Sequence, residues 1–342
     1  MAIGSGLGAQ FGFIPEVTVG APLAVTHFAE FDDESLSLDL SWLENEGIRA
    51  GNKFKRSARL GVSRKTVGGG VTLKHAYKGM GALWKQALGS SATATQILAT
   101  TAYSQVHTPV AIDGKSMTVQ VGRPQPDGTV VPYTWNGCKV TDWEFSVSDN
   151  EAATLKLTLD AWNETLATGL VAASYVDPNP VWDFSDVTAF KLGGVASTVG
   201  GVTSIAGGVT VTTVANEFTL KGESPLANER YGLGNAGIKK EQIENDYPSI
   251  TGSLSAEFNK TELYDLFAAQ TKTALQLDLS AGDAGGANPF LLSFILPAVY
   301  FKKAEPQVDG ADIVAMDLDF EAYSDGTNPV IQVKIVSSDT AI

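Results

Sequence analysis

Three carboxylates, Asp317, Asp319 and Glu321, alternate with Leu318, Phe320 and Ala322. Paired carboxylates are the machinery of glycoside hydrolysis, one serving as acid and the other as base or nucleophile. That chemistry takes its two carboxyls from facing elements whose surroundings push their pKa values apart. Here a spacing of two puts all three on one face of one strand. Asp142 and Glu144 alternate in the same way with Trp143 and Phe145, and Asp278 adds an acid to the polar face of Leu275–Leu279. Acids repeated this way read as a negative surface built into an architecture. A hydrolase using Asp317 and Asp319 is the least favoured reading.

Other candidates for chemistry fail on spacing. His27, His75 and His107 have no neighbours at metal-ligand spacing, so core or surface placement is expected rather than catalysis or metal binding. Gly114-Lys115-Ser116 resembles the end of a phosphate-binding loop, but Pro109 stands where the opening glycine is needed. Gly4, Gly6 and Gly8 follow no strand, so no dinucleotide site is expected. Asn163-Glu164-Thr165 and Asn259-Lys260-Thr261 are formal glycosylation sequons, without meaning unless the chain is secreted. No catalytic, cofactor-binding or metal-binding residue is expected, and the chain reads as no enzyme.

The bulk properties exclude further classes. No apolar run approaches the roughly 18 residues of a membrane helix. The opening MAIGSGLGAQFG carries no Lys or Arg and no continuous apolar core, unlike a secretory signal. Cys138 is the only cysteine, which leaves no disulfide framework or zinc thiolate cluster and suits a reducing compartment or indifference to redox state. The net charge of −14 opposes general affinity for nucleic acid. That charge is unevenly placed. Residues 1–48 hold eight acids and no Lys or Arg, whereas residues 49–85 hold ten bases and no acid. The basic stretch around Arg49, Lys53, Lys55, Arg56 and Arg59 is a candidate docking loop for an acidic surface on another copy.

The elements that would carry these residues occur twice. At an offset of 183, Val67, Gly69, Val71, Leu73, Met80, Leu83 and Trp84 line up with Ile250, Gly252, Leu254, Ala256, Leu263, Leu266 and Phe267. Both segments begin with strand alternation and switch to helical spacing at the same place. The helices are expected over about 79–88, ending at Gly89, and about 260–269, starting at Asn259 with Glu262 three residues on. A second match at offset 173 pairs Met117, Val119 and Val121 with Phe290, Leu292 and Phe294. It also pairs Gly137, Cys138, Val140, Trp143, Phe145 and Val147 with Gly310, Ala311, Ile313, Met316, Leu318 and Phe320. A third, at offset 176, pairs Leu155, Leu157 and Leu159 with Ile331, Val333 and Ile335.

The reading is two homologous domains, 1–175 and 176–342, joined near Asp177-Pro178-Asn179-Pro180. Each is mainly antiparallel β with one helix covering a sheet (α+β). Alternation marks Leu36–Trp42, Asp142–Ser148, Leu155–Asp160, Met316–Ala322 and Ile331–Ile335 as strands. Residues 43–66 and 219–247 are long polar stretches at equivalent places, of a length that usually serves interaction. Gly pairs at 193–194, 200–201 and 207–208 suggest short strands joined by tight turns, without a counterpart in the first half.

The stretch IRAGNKFKRSARLGVSRKTVGGGVTLKHAYKGMGALWKQALGS resembles the two-domain (duplicated) bacteriophage tail tube proteins: a basic loop, a strand opening Val-Gly-Gly, Tyr-x-Gly-x-Gly, and a helix ending Ala-Leu-Gly-Ser. YPSITGSLSAEFNKTELYDLFAAQTKTALQLDLS and LSFILPAVYFKKAEPQVDGADIVAMDLDFEAY are similar to the second repeat and the end of that family. The resemblance runs from about residue 45 to the end. It implies two tail-tube-fold domains, each of two packed antiparallel sheets with a helix and a long inter-subunit loop. It implies homotrimer rings in helical assembly, stacked into a hollow tube that conducts DNA from capsid to host without specific binding. It also implies a place in the virion tail after synthesis in the host cytoplasm, with tape measure, terminator and distal tail proteins as partners and no membrane. Asp142, Glu144, Asp278, Asp317, Asp319 and Glu321 then become candidates for the lumen wall. A β-sandwich virion decoration or cell-surface binding protein is the alternative. It accounts for the duplication but not for the basic loop.

Overall fold

The computed structural model describes residues 5–211, 213–259, 261–308 and 310–342. Gly4 of the glycine-rich start and Lys260 at the expected opening of the second helix lie outside them. In the first half the strands include β1 (Gln10–Pro15), β2 (Ser37–Glu44) and β3 (Leu60–Lys74), then helix α1 (Gly81–Ala87). There follow β4 (Tyr103–His107), β5 (Met117–Pro124), β6 (Val130–Ser148), β7 (Thr154–Ala161) and β8 (Asn163–Thr165). The second half has β9 (Val187–Leu192), β10 (Val195–Val199), β11 (Val202–Ala206), β12 (Ala215–Glu223) and β13 (Ser249–Glu257). Helix α2 (Glu262–Ala268) precedes β14 (Thr273–Gly285), β15 (Asn288–Lys303), β16 (Ala315–Ala322) and β17 (Gln332–Ser337). The fold is mainly β, and every ladder between these strands is antiparallel.

The pairing order is the same in both halves. In the first, β1 pairs β5, β5 pairs β6, β6 pairs β7 and β8, β7 pairs β3, and β3 pairs β2. In the second, β9 pairs β14, β14 pairs β15, β15 pairs β16 and β17, β16 pairs β13, and β13 pairs β12. Even an irregularity recurs. Thr158 faces Asp142 and Leu159 faces Val140, which makes Thr141 a bulge residue. Asp319 faces Lys303 and Phe320 faces Phe301, which makes Lys302 one too. Bulges re-aim a strand and are retained features of a fold.

This order moves the matches at offsets 173 and 176 by one strand, and β17, with Val333 and Ile335, takes the place of β8 rather than of Leu155–Leu159 in β7. β5, with Met117–Val121, occupies the place of β14 rather than of Phe290–Phe294 in β15. β16 occupies the place of β7 rather than of β6. Alternation has the same period in every strand, so apolar phase alone does not separate a strand from its neighbour. The match at offset 183 does join equivalent strands, β3 and β13.

The long strands β6 and β15 each bend through two layers. Their first parts join outer sheets, β1-β5-β6-β8 and β9-β14-β15-β17-β4. Their second parts join one sheet that runs across both halves in the order β2-β3-β7-β6-β12-β13-β16-β15. The link between halves is the ladder from Glu217↔Ser148 to Glu223↔Asp142.

Between the layers lies one apolar cluster drawn from both halves. Trp84 of α1 is fully buried, 5.1 Å from Trp143 and 5.5 Å from Phe294 between ring centroids. Phe267 of α2 packs at the edge of this cluster. Gly89 ends the first helical segment at φ +59, and a Cβ there would lie 2.4 Å from the Val110 carbonyl oxygen. The second helix opens at Thr261, not Asn259. The Asn259 amide oxygen accepts from Thr213 Oγ1 at 2.9 Å instead. The glycine pairs form the expected hairpin. β10 and β11 turn at Gly200-Gly201, both at positive φ, as a two-residue hairpin turn requires.

Candidate interaction surface

The eight-stranded sheet has one apolar and one polar face. Leu155, Leu157, Phe145, Leu220, Leu254, Leu318 and Phe320 point into the core. Register lays the opposite residues in rows across the strands. One row runs Lys156, Glu144, Lys221, Thr251, Glu321. Another runs Ser146, Thr219, Ser253, Asp319, and Ser255 faces Asp317. The structure therefore brings Asp142, Glu144, Asp317, Asp319 and Glu321 onto one face of one sheet, as facing residues in a ladder share a side.

Their electrostatics differ between halves. Glu144 sits between Lys221 at 2.8 Å and Lys156 at 3.3 Å. Partial burial raises its pKa, but the hydrogen bonds and charges of the two ammonium groups outweigh that and hold it below the ordinary value. Glu321 has Lys302 at 3.6 Å. Asp317 and Asp319 have no ion pair among the described residues, and Asp317 accepts from Ser255 Oγ at 3.1 Å. Asp278 does not join this face. It lies on β14 in an outer sheet, where it accepts from Gln276 Nε2 at 2.7 Å and from Ser293 Oγ. The sequence shows that Asp278 has a polar side, but not which sheet that side belongs to.

The basic stretch is the tip of a projecting arm. β2 and β3 pair as far as Glu44↔Leu60, so much of residues 43–66 is hairpin rather than loop. Its alternation is weak because both faces are wet. Trp42 is 59% exposed, Phe54 87%, and Leu40, Leu43, Leu60 and Val62 are exposed too. Within the arm Lys55 pairs with Glu44, and Arg56 with Glu46 at 3.3 Å. The Arg56 N–H donates to the Glu46 carboxylate and is the main cause that holds it below its ordinary pKa. Arg49, Lys53 and Arg59 have no ion pair among the described residues.

The second stretch, expected over 219–247, opens inside β12, where Thr219 and Leu220 are buried; the rest, the second arm 224–248, behaves differently because it folds onto the first half. Lys239 is buried and pairs with Asp160 of β7. Gln242 Nε2 donates to the same carboxylate at 2.8 Å, and Trp162 Nε1 donates to Gln242 Oε1 at 2.8 Å. Lys139 of β6, also buried, meets Glu241 at 2.7 Å. These contacts were not foreseen from sequence. The only signal was the mixed charge of the stretch.

The remaining candidates have structural uses. His75 and His107 are buried and His27 stacks on Phe13. Lys115 Nζ donates to the carbonyls of Gly89 and Ala111, and Ser116 Oγ donates to Glu16. No group of three or more His, Cys, Asp or Glu that could hold a metal occurs among the described residues. No helix among them is long and apolar enough to cross a membrane.

An antiparallel sheet with edges unpaired among the described residues, a polar open face and an exposed arm is a surface made for contact rather than a pocket for chemistry. The family model described as phage tail tube protein matches residues 6–322, and the chain belongs to that family. It is a structural protein of the phage tail, and its place is the virion tail. No curated protein matches the chain.

Proposed function

We propose that this chain is built as two copies of one tail tube domain, 1–175 and 176–342, and that three chains close a ring. The rings stack into a hollow tube through which DNA passes. The observation that carries this reading is the unfinished sheet. At its two ends, the outer edge of β2 and the outer edge of β15 beyond Val299 have no ladder partner among the described residues, whereas the same edges of β12 and β6 pair with each other inside the chain. Unpaired edges invite addition of another strand. A head-to-tail contact that repeats closes a ring when its rotation permits.

In that ring the polar face looks inward. A wall bearing Asp317, Asp319 and Glu321 repels phosphate, whereas a Lys- or Arg-rich wall would bind it along the whole length. The first arm reaches a neighbouring copy, a reading supported by its exposed Trp42 and Phe54 and by the docking of the second arm within the chain. Tape measure, terminator and distal tail proteins are its partners in the tail. Electron microscopy of the purified chain tests the proposal. Hollow tubes of threefold rings with six similar lobes are expected. Six chains per ring would overturn the trimer, and discrete compact particles would return the chain to the decoration-protein reading.

A further inference from the structure

The seam inside the chain specifies residues for the seam between chains. Glu223 of β12 faces Asp142 of β6, and Gly222 faces Trp143. The matching bulges fix the counterpart of Asp142. Asp142 faces Thr158 beside the first bulge and Lys303 faces Asp319 beside the second, so Lys303 of β15 holds the place of Asp142, and Ala304 that of Trp143. On the other strand, Gly222 faces Ile250 and Leu38 faces Val67. Val67 and Ile250 are equivalent, so Asp39 of β2 holds the place of Glu223 and Leu38 that of Gly222.

We infer that Asp39 of one copy lies opposite Lys303 of the next, with Leu38 beside Ala304. The inference rests on the tube reading and adds its register. Charge supports it. The seam inside the chain opposes two acids, Glu223 and Asp142, while the seam between copies opposes an acid and a base, which favours cross-strand pairing. Both residues are exposed, and neither has an ion pair among the described residues. Volume supports it as well. Gly222 is small because a Cβ there would lie 2.2 Å from the Trp143 ring. Between copies the exchange is reversed: the small residue is Ala304, fully buried just after the end of β15, and the larger, half-buried Leu38 stands on β2.

Disulfide capture tests the register in the full chain, since Cys138 is fully buried and contributes little background. Facing residues of an antiparallel ladder have Cα atoms about 4.5–5.5 Å apart, inside the roughly 4.4–6.8 Å that a disulfide spans. Asp39→Cys with Lys303→Cys, oxidised after assembly, should give covalent dimers and trimers and nothing longer. Ser41→Cys with Lys303→Cys, displaced by two residues and so about 7 Å along the strand, should link far less. Tubes with no Asp39→Cys/Lys303→Cys link, or with equal linkage in the displaced pair, would overturn the register and leave the tube standing. Absence of rings and tubes from the unaltered chain would overturn both. As a second measure, Asp39→Lys should abolish the sedimenting fraction and Lys303→Asp in the same chain should restore it. No restoration, with both variants folded, counts against the pairing.

Discussion

The indole N–H of Trp84 donates to Nε2 of His75 at 2.8 Å, with both side chains buried. The other ring nitrogen, Nδ1, lies 3.0 Å from the Ala76 carbonyl, so the neutral ring carries its proton there. Burial lowers the His75 pKa to about 4 from 6.5, against the raising effect of the Ala76 carbonyl. As pH falls, the unfolded chain takes up this proton near 6.5 and the folded chain only near 4. The His75 contribution to stability therefore declines across that window and is constant below it, while buried His107, its pKa lowered to about 3, adds a decline that continues to lower pH. The His75 contribution is roughly 3 kcal/mol at about 1.4 kcal/mol per unit. Urea titrations between pH 7 and pH 4 should show the decline, and His75→Gln should make it shallower. An unchanged slope in the variant would assign it to other groups.

Asp160 and Lys239 anchor the second arm to the first half. Removing one member of a buried pair strands the other, at a cost of about 3–5 kcal/mol. Asp160→Ala is expected to lose that much in denaturant unfolding. Asp319→Ala, on the open face, should lose less than about 0.5 kcal/mol. A loss below about 1 kcal/mol at Asp160 would mean that the second arm is held by its other contacts.

Replacing Arg49, Lys53, Arg56 and Arg59 with Ser should reduce the polymer seen by sedimentation without unfolding the chain. Single exposed pairs contribute roughly 0–1 kcal/mol, so the effect depends on repetition around a ring. Lys55 and Arg56 already have partners within the arm. Most of the loss should therefore follow from Arg49, Lys53 and Arg59, and a triple variant should behave like the quadruple one. Polymerisation at the normal level removes the basic residues from the interface.

Asp317→Lys with Asp319→Lys should leave tube formation intact and slow DNA ejection. The altered charges would attract phosphate over about a Debye length, roughly 8 Å at physiological ionic strength. The delay should shrink as salt rises. Ejection at the normal rate in low salt would show that wall charge has no part in passage, and a tube with Asp317 on its outside would refute the orientation directly.

How much of this was legible differs residue by residue. The shared face of Asp317, Asp319 and Glu321 follows from a period of two, and the glycine hairpin follows from Gly200-Gly201, because these are local properties of the backbone. The repeat at Val67 and Ile250 was legible because a strand-to-helix switch is an irregular signal that occurs rarely. Assignment of the later strands was displaced by one, since neighbouring strands share the same alternation. Asp278 and Asp142 look alike in sequence and separate only when ladders assign them to different sheets.

The sequence by itself determined the class of fold, the doubling of its pattern, the acid stripes and the unequal charge of the two arms. All of these are carried by periodicity and composition within short windows. Only the tertiary structure decided what meets across long separations: Lys239 buried on Asp160, Trp84 against Phe294, and Glu223 facing Asp142 in the seam. Those contacts depend on register and on which strand lies beside which. A one-residue slip in register turns every side chain to the opposite face, and nothing local to the chain records the choice.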